Sequence, residues 1–109
     1  MYKKITRVNP TALSAHEIAS QLLKLPQWTA TNGYLRRNQI VLRDFETTRS
    51  LLNHIAMRSH IWGHHPELIM NYNKLDIKLT THDIGSKISD IDLELAKRIE
   101  DYIEFYLTK

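Results

Sequence analysis

The stretch "LIMNYNKLDIKLTT", residues 68–81, decides the fold. Leu75, Ile77 and Leu79 alternate with Lys74, Asp76 and Lys78. A period of two sends successive side chains to opposite faces, so the run predicts a strand with one buried face and one wet face. Sheets that meet water on one side are characteristically antiparallel, whereas parallel sheets are covered on both. Residues 68–71 are read as a partner strand, with Tyr72-Asn73 as the connection.

Working outward, "DFETTRSLLNHIAMRSHIWG" (44–63) places Phe45, Leu52, Ile55, Ala56 and Ser59 at helical spacing. Gly63 and then Pro66 supply the expected C-terminal punctuation. Further upstream, "QWTATNGYLRRNQIVLRDF" (27–45) carries Asn32-Gly33 between two extended runs, which predicts a β-hairpin. "SAHEIASQLLKLP" (14–26) opens with Ser14 and Glu17 at the spacing of a capping box. Ile18, Leu22 and Leu25 give that helix one apolar face, and Pro26 ends it. At the other end, Ser89 caps a last helix whose stripe is Ile91, Leu95, Ile99, Tyr102, Ile103 and Tyr106. The order is α-β-β-α-β-β-α. The predicted class is α+β, a four-stranded antiparallel sheet with three helices on one face. Residues 1–109 are read as a single domain, since a chain of 109 residues supports one core and not two.

Composition excludes several chemistries. The absence of cysteine rules out a disulfide framework, a thiolate metal site and a thiol nucleophile, and it fits a reducing cytoplasm. No apolar run approaches the ~18 residues of a membrane span. "MYKKITRVNP" (1–10) lacks the apolar core of a signal peptide. The net charge of +3 is spread along the chain and gives no basic stripe that points to nucleic acid, Arg36, Arg37 and Arg43 being only a weak local cluster.

The chemistry-bearing residues are histidines. His64 and His65 follow the second helix and are stopped by Pro66, which disfavours a helical His65 and predicts an extended pair. His82 lies eighteen residues after His64 and is predicted to end the last strand, on the face opposite Leu75, Ile77 and Leu79. His60 and His64 have the i, i+4 spacing that holds zinc on a helix, but Gly63 should end the helix before His64. His16 and His54 read as ordinary helix residues. Asp92 has a structural role available, since it stands third after Ser89 and favours the helix dipole.

The segment from His60 to Asp92 resembles the pterin-4a-carbinolamine dehydratase family, the 4a-hydroxytetrahydrobiopterin dehydratases. That family carries a charged or His residue, three residues, His-His-Pro, an aromatic after five more, a His after nine more, and then an Asp. Here these fall on His60, His64-His65-Pro66, Tyr72, His82 and Asp92. "DF" at 44–45, "YNK" at 72–74, "TTHD" at 80–83 and the order of elements are also similar. His60 stands where many members are acidic, Leu68 where many have Trp, and Gly85-Ser86 where Gly-Gly is common, in a loop (83–89) about one residue longer than usual.

The resemblance implies elimination of water from a 4a-hydroxytetrahydropterin to give the quinonoid dihydropterin, in recycling of the pterin used by aromatic amino acid hydroxylases. It implies His64 and His82 as the acid/base pair and His65 as the residue that chiefly binds the pterin. His60, Pro66, Tyr72 and Asp92 would support or bind it. It implies no cofactor and no metal, and a homodimer or homotetramer. Some members also serve as dimerisation cofactors for a hepatocyte transcription factor. Two rivals stand beside the enzyme: a non-catalytic pterin- or protein-binding module of the same fold, and a metal-binding protein using His60, His64, His65 and His82.

Overall fold

The computed structural model describes residues 10–108, apart from the side chain of Asp83, and the first nine residues read above for a signal peptide lie outside the description. Three α-helices, α1 (Ala15–Leu22), α2 (Phe45–Trp62) and α3 (Asp90–Leu107), alternate with two strand pairs, β1 (Thr29–Thr31) with β2 (Tyr34–Val41) and β3 (Glu67–Asn71) with β4 (Lys74–Leu79). All pairings are antiparallel, in the order β1-β2-β4-β3. The α+β class and the order of elements are those expected from the sequence.

Alternation builds the inner face of β4, where Leu75, Ile77 and Leu79 are buried. β2 needs a correction to do the same. Arg37 pairs with Ile77 and Ile40 with Leu75, so β2 uses one residue more than β4 over this interval. That extra residue is a bulge, with Gln39 at φ 56° and its N–H bound to the Asp76 carboxylate at 2.6 Å. The bulge restores the parity of the strand, so that Leu35, Ile40 and Leu42 all reach the core. Arg37 lies on this buried face too. Its Nε binds Glu100 of α3 at 3.1 Å, and Trp28 Nε1 donates to the same oxygen at 2.7 Å. It is therefore a core ion-pair residue and not part of an exposed basic cluster.

The helices follow their caps. Ser14 and Glu17 form the expected capping box of α1. The helix ends at Leu22, four residues before Pro26, and the chain then tightens through Lys24 N–H to Gln21 O and Leu25 N–H to Leu22 O. Asp44 caps α2 by accepting from the Thr47 N–H at 2.8 Å. The buried side of α2 is Thr47, Thr48, Leu51, Ile55 and Ser59, while Phe45 is exposed. Ile55 and Ser59 are thus buried as expected, while Thr47, Thr48 and Leu51 take the place of Phe45, Leu52 and Ala56, because hydroxyls can be buried where the helix's own carbonyls accept from them. Thr48 donates to Asp44 O and Ser59 to Ile55 O, both at 2.8 Å. α3 buries Ile91, Leu95, Ile99 and Ile103 as its stripe predicts.

Candidate active site

The strand registers gather the histidine-bearing segments at one end of the sheet. Glu67 opens β3 opposite Lys78 near the close of β4, and Leu35 near the start of β2 faces Leu79. The entry to β3, the exit from β4 and the β1–β2 turn therefore share an end.

Gly63 takes the left-handed conformation after α2 (φ 74°), and the N–H of His64 returns to the Ser59 carbonyl at 3.0 Å. The helix stops before His64, as its glycine predicts. His64 then turns inward and is 8% exposed, while His65 and His60 stay at the surface with ring centroids 5.7 Å apart, edge to face.

His64 meets Asp92. Its Nε2 lies 2.6 Å from Asp92 Oδ1, and Asp92 is completely buried. The second oxygen, Oδ2, accepts from the Ser89 N–H and the Thr81 hydroxyl, both at 2.8 Å. Ser89 Oγ lies 2.7 Å from Thr81 Oγ1 and completes the cluster. Capping and site roles, separable in the sequence, are here one arrangement: Oδ2 serves the helix start and Oδ1 holds the histidine. A carboxylate only accepts, so His64 donates from Nε2, which makes Nδ1 the other, acceptor nitrogen of the neutral ring. A buried carboxylate that fixes the tautomer and orientation of an imidazole is the arrangement that prepares a histidine for acid/base work.

His82 is placed differently from expectation. β4 ends at Leu79, and Thr80 and Thr81 are both buried, so the alternation breaks before it reaches His82. His82 begins a 3-10 turn (His82–Ile84), is exposed, and sets Nδ1 3.3 Å from Ser86 Oγ. It follows Thr81 directly, so the Thr81–Asp92 bond ties its segment to the one bearing His64. Pro66 leads straight into β3. Tyr72 lies at the far end of that strand, roughly 16 Å along five extended residues. It is 67% exposed and stacks on Phe45 with ring centroids 6.3 Å apart. The structure thus joins His64 with Asp92 and His60 with His65, and leaves Tyr72 apart from both pairs within one chain.

Thr81 and Ser89 are the members of the cluster that sequence reading did not assign to the site. The Ser89-to-Asp92 spacing signalled a cap. Nothing in the sequence signalled that Thr81 would fill the other side of Oδ2. Among the described residues, no group of three or more His, Asp or Glu side chains comes together as a metal would require. Among the described residues, no helix is long and apolar enough to cross a membrane.

The comparisons bear on the family and the fold. The family model for pterin 4 alpha carbinolamine dehydratase matches residues 11–102. A Saccharomyces cerevisiae protein named "Putative pterin-4-alpha-carbinolamine dehydratase" is 36% identical, over 95% of this chain and 97% of its own. A Prochlorococcus marinus protein of the same name is 38% identical, over 82% of this chain and 91% of its own. A crystal structure of a transcriptional coactivator/pterin dehydratase from Brucella melitensis superposes with a TM-score of 0.79, covering 85% of this chain and 99% of that one at 23% identity, which bears on the fold. Matched over nearly its whole length, with His64, Asp92 and His82 inside the matched span, the chain belongs to the pterin-4a-carbinolamine dehydratase family.

Proposed function

We propose that this protein dehydrates a 4a-hydroxytetrahydropterin, of which 4a-hydroxytetrahydrobiopterin is the reference substrate, to the quinonoid dihydropterin by histidine acid/base catalysis. The observation that carries the reading is the buried His64–Asp92 pair at 2.6 Å, beside the exposed His65 and tied to the His82 segment through Thr81. Elimination moves two protons. One goes to the 4a-hydroxyl oxygen, the C4a–O bond breaks with its electron pair, and water leaves. The other is lost from N5 as the N5=C4a double bond forms. The proton count balances between two groups, one giving and one taking, and imidazoles suit both because each protonation state is available near neutrality.

In this reading His64 and His82 exchange the protons. His65, exposed beside His64, binds and orients the pterin with help from His60. Asp92 is a positioning residue acting through His64, and Pro66 fixes the departure of the chain into β3. Tyr72 reaches a pterin only where copies of the chain assemble, which fits a homodimer or homotetramer. We place the activity in cytoplasmic pterin recycling, linked to an aromatic amino acid hydroxylase. Sedimentation equilibrium tests the assembly.

The test of the activity is direct. Enzymatically generated 4a-hydroxytetrahydropterin should decay faster with purified protein, with no metal added. Unchanged decay with folded protein, across several pterins, would leave the chain a non-catalytic binding module. Loss of activity on chelation with recovery on zinc would favour a metal-dependent site instead.

A further inference from the structure

The β1–β2 turn presses on the loop that carries His82. Gly33 sits at φ 81°, and a Cβ there would lie 2.3 Å from the Ser86 carbonyl oxygen, closer than any real side-chain carbon approaches. The same turn is anchored from below, since the buried Thr80 donates its hydroxyl to the Gly33 carbonyl at 2.7 Å. Ser86 is itself in the left-handed region (φ 58°), which costs a serine energy and persists only where its surroundings impose it. Its N–H binds Thr81 O at 3.1 Å, and Thr81 N–H binds Lys87 O at 3.1 Å. The Ser86 hydroxyl, finally, lies 3.3 Å from His82 Nδ1.

We propose that Gly33 and Thr80 are positioning residues of the active site: they clamp Ser86, and Ser86 sets the ring of His82. The clamp acts on the residue whose hydroxyl lies within reach of the exposed His82 ring. Ser86 occupies one ring nitrogen, so proton exchange with a bound molecule falls to Nε2. This inference rests on the proposed use of His82 as one of the proton-exchanging pair.

Thr80→Val keeps the shape and removes the anchor, and Thr80→Ser restores it. For the full-length protein, we expect Thr80→Val to lower kcat for 4a-hydroxytetrahydropterin dehydration about 10- to 100-fold with KM little changed, the scale on which small misplacements act. Thr80→Ser should recover most of it. In a His82→Ala background the same change should add nothing. The ring nitrogen signals of His82 in a heteronuclear NMR spectrum should move in Thr80→Val and in the surface variant Ser86→Ala, while those of His65 stay. Ser86→Ala carries the test if Thr80→Val does not fold. Unmoved His82 signals in a folded variant, or wild-type kcat in an active protein, would overturn the proposal. If the wild-type protein has no dehydratase activity and the His82 signals still shift, the dehydratase reading fails and the clamp stands.

Discussion

Asp92 has no exposed surface and both of its oxygens are engaged, Oδ1 by His64 and Oδ2 by Ser89 and Thr81. As a cap alone it would be worth ~0.3–1 kcal/mol, and Asp92→Asn would change stability little. Its burial raises that expectation, because removing one partner strands polar groups that water cannot reach. We expect Asp92→Ala to lose about 3–5 kcal/mol in denaturant unfolding. Asp92→Asn should lose less, since an amide still accepts at one atom, yet its kcat/KM should fall by more than its stability accounts for. Normal kinetics in a folded Asp92→Asn protein would reduce Asp92 to a cap. His64→Ala should lower kcat by ~10²–10⁴, while His65→Ala should act chiefly on KM, as loss of a binding contact does. The spacing of His64, His82 and Asp92 was legible in the sequence. The Thr81 contact was not, because it joins the end of a strand to a helix start and no local pattern encodes that meeting.

At the scale of the element, caps and turns set where each functional residue leaves its helix or strand. Gly63 ends α2 in the left-handed conformation and delivers His64 inward. Gly63→Ala should cost roughly 1–2 kcal/mol, the price of that conformation for an L-residue with a Cβ. Hydrogen bonds from the Thr47 hydroxyl and its backbone N–H hold the Asp44 carboxyl below the usual carboxylate range. The sign follows: a carboxyl depressed on folding contributes stability that is fully present above its unfolded pKa and is lost as pH falls through its folded one. Acid unfolding of Asp44→Ala, followed by circular dichroism below about pH 4, should be less steep than that of the parent. An identical pH slope would remove Asp44 from the acid response. The apolar alternation of β4 and the stripe of α3 were readable because their buried residues are apolar. The face of α2 departs from the pattern because Thr48 is a buried polar residue satisfied by its own helix, and His82 lies beyond the strand because the buried Thr80 and Thr81 interrupt its period.

Over the whole molecule, the sheet and α3 are joined by a polar tie as well as by the apolar core. Arg37 of β2 and Trp28 both donate to Glu100 of α3, with Arg37 and Glu100 side chains only 10% and 15% exposed. Glu100→Ala leaves a guanidinium and an indole N–H without their acceptor and should cost about 3–5 kcal/mol. Glu100→Ala together with Arg37→Met should recover part of that loss, and strict additivity of the two would show that the pair is not coupled. This tie keeps α3 fixed on the sheet, and the start of α3 carries Asp92. Fold and chemistry thus meet at one end of the sheet, where the β3 entry, the β4 exit and the α3 cap converge on a single carboxylate. The most direct measurement of that claim is single-turnover dehydration of 4a-hydroxytetrahydropterin by wild-type and His64→Ala proteins, each verified as folded. Clear acceleration over the spontaneous decay is expected for the wild type, with a rate at least ~10²-fold lower for the variant. Equal rates for the two folded proteins would contradict it.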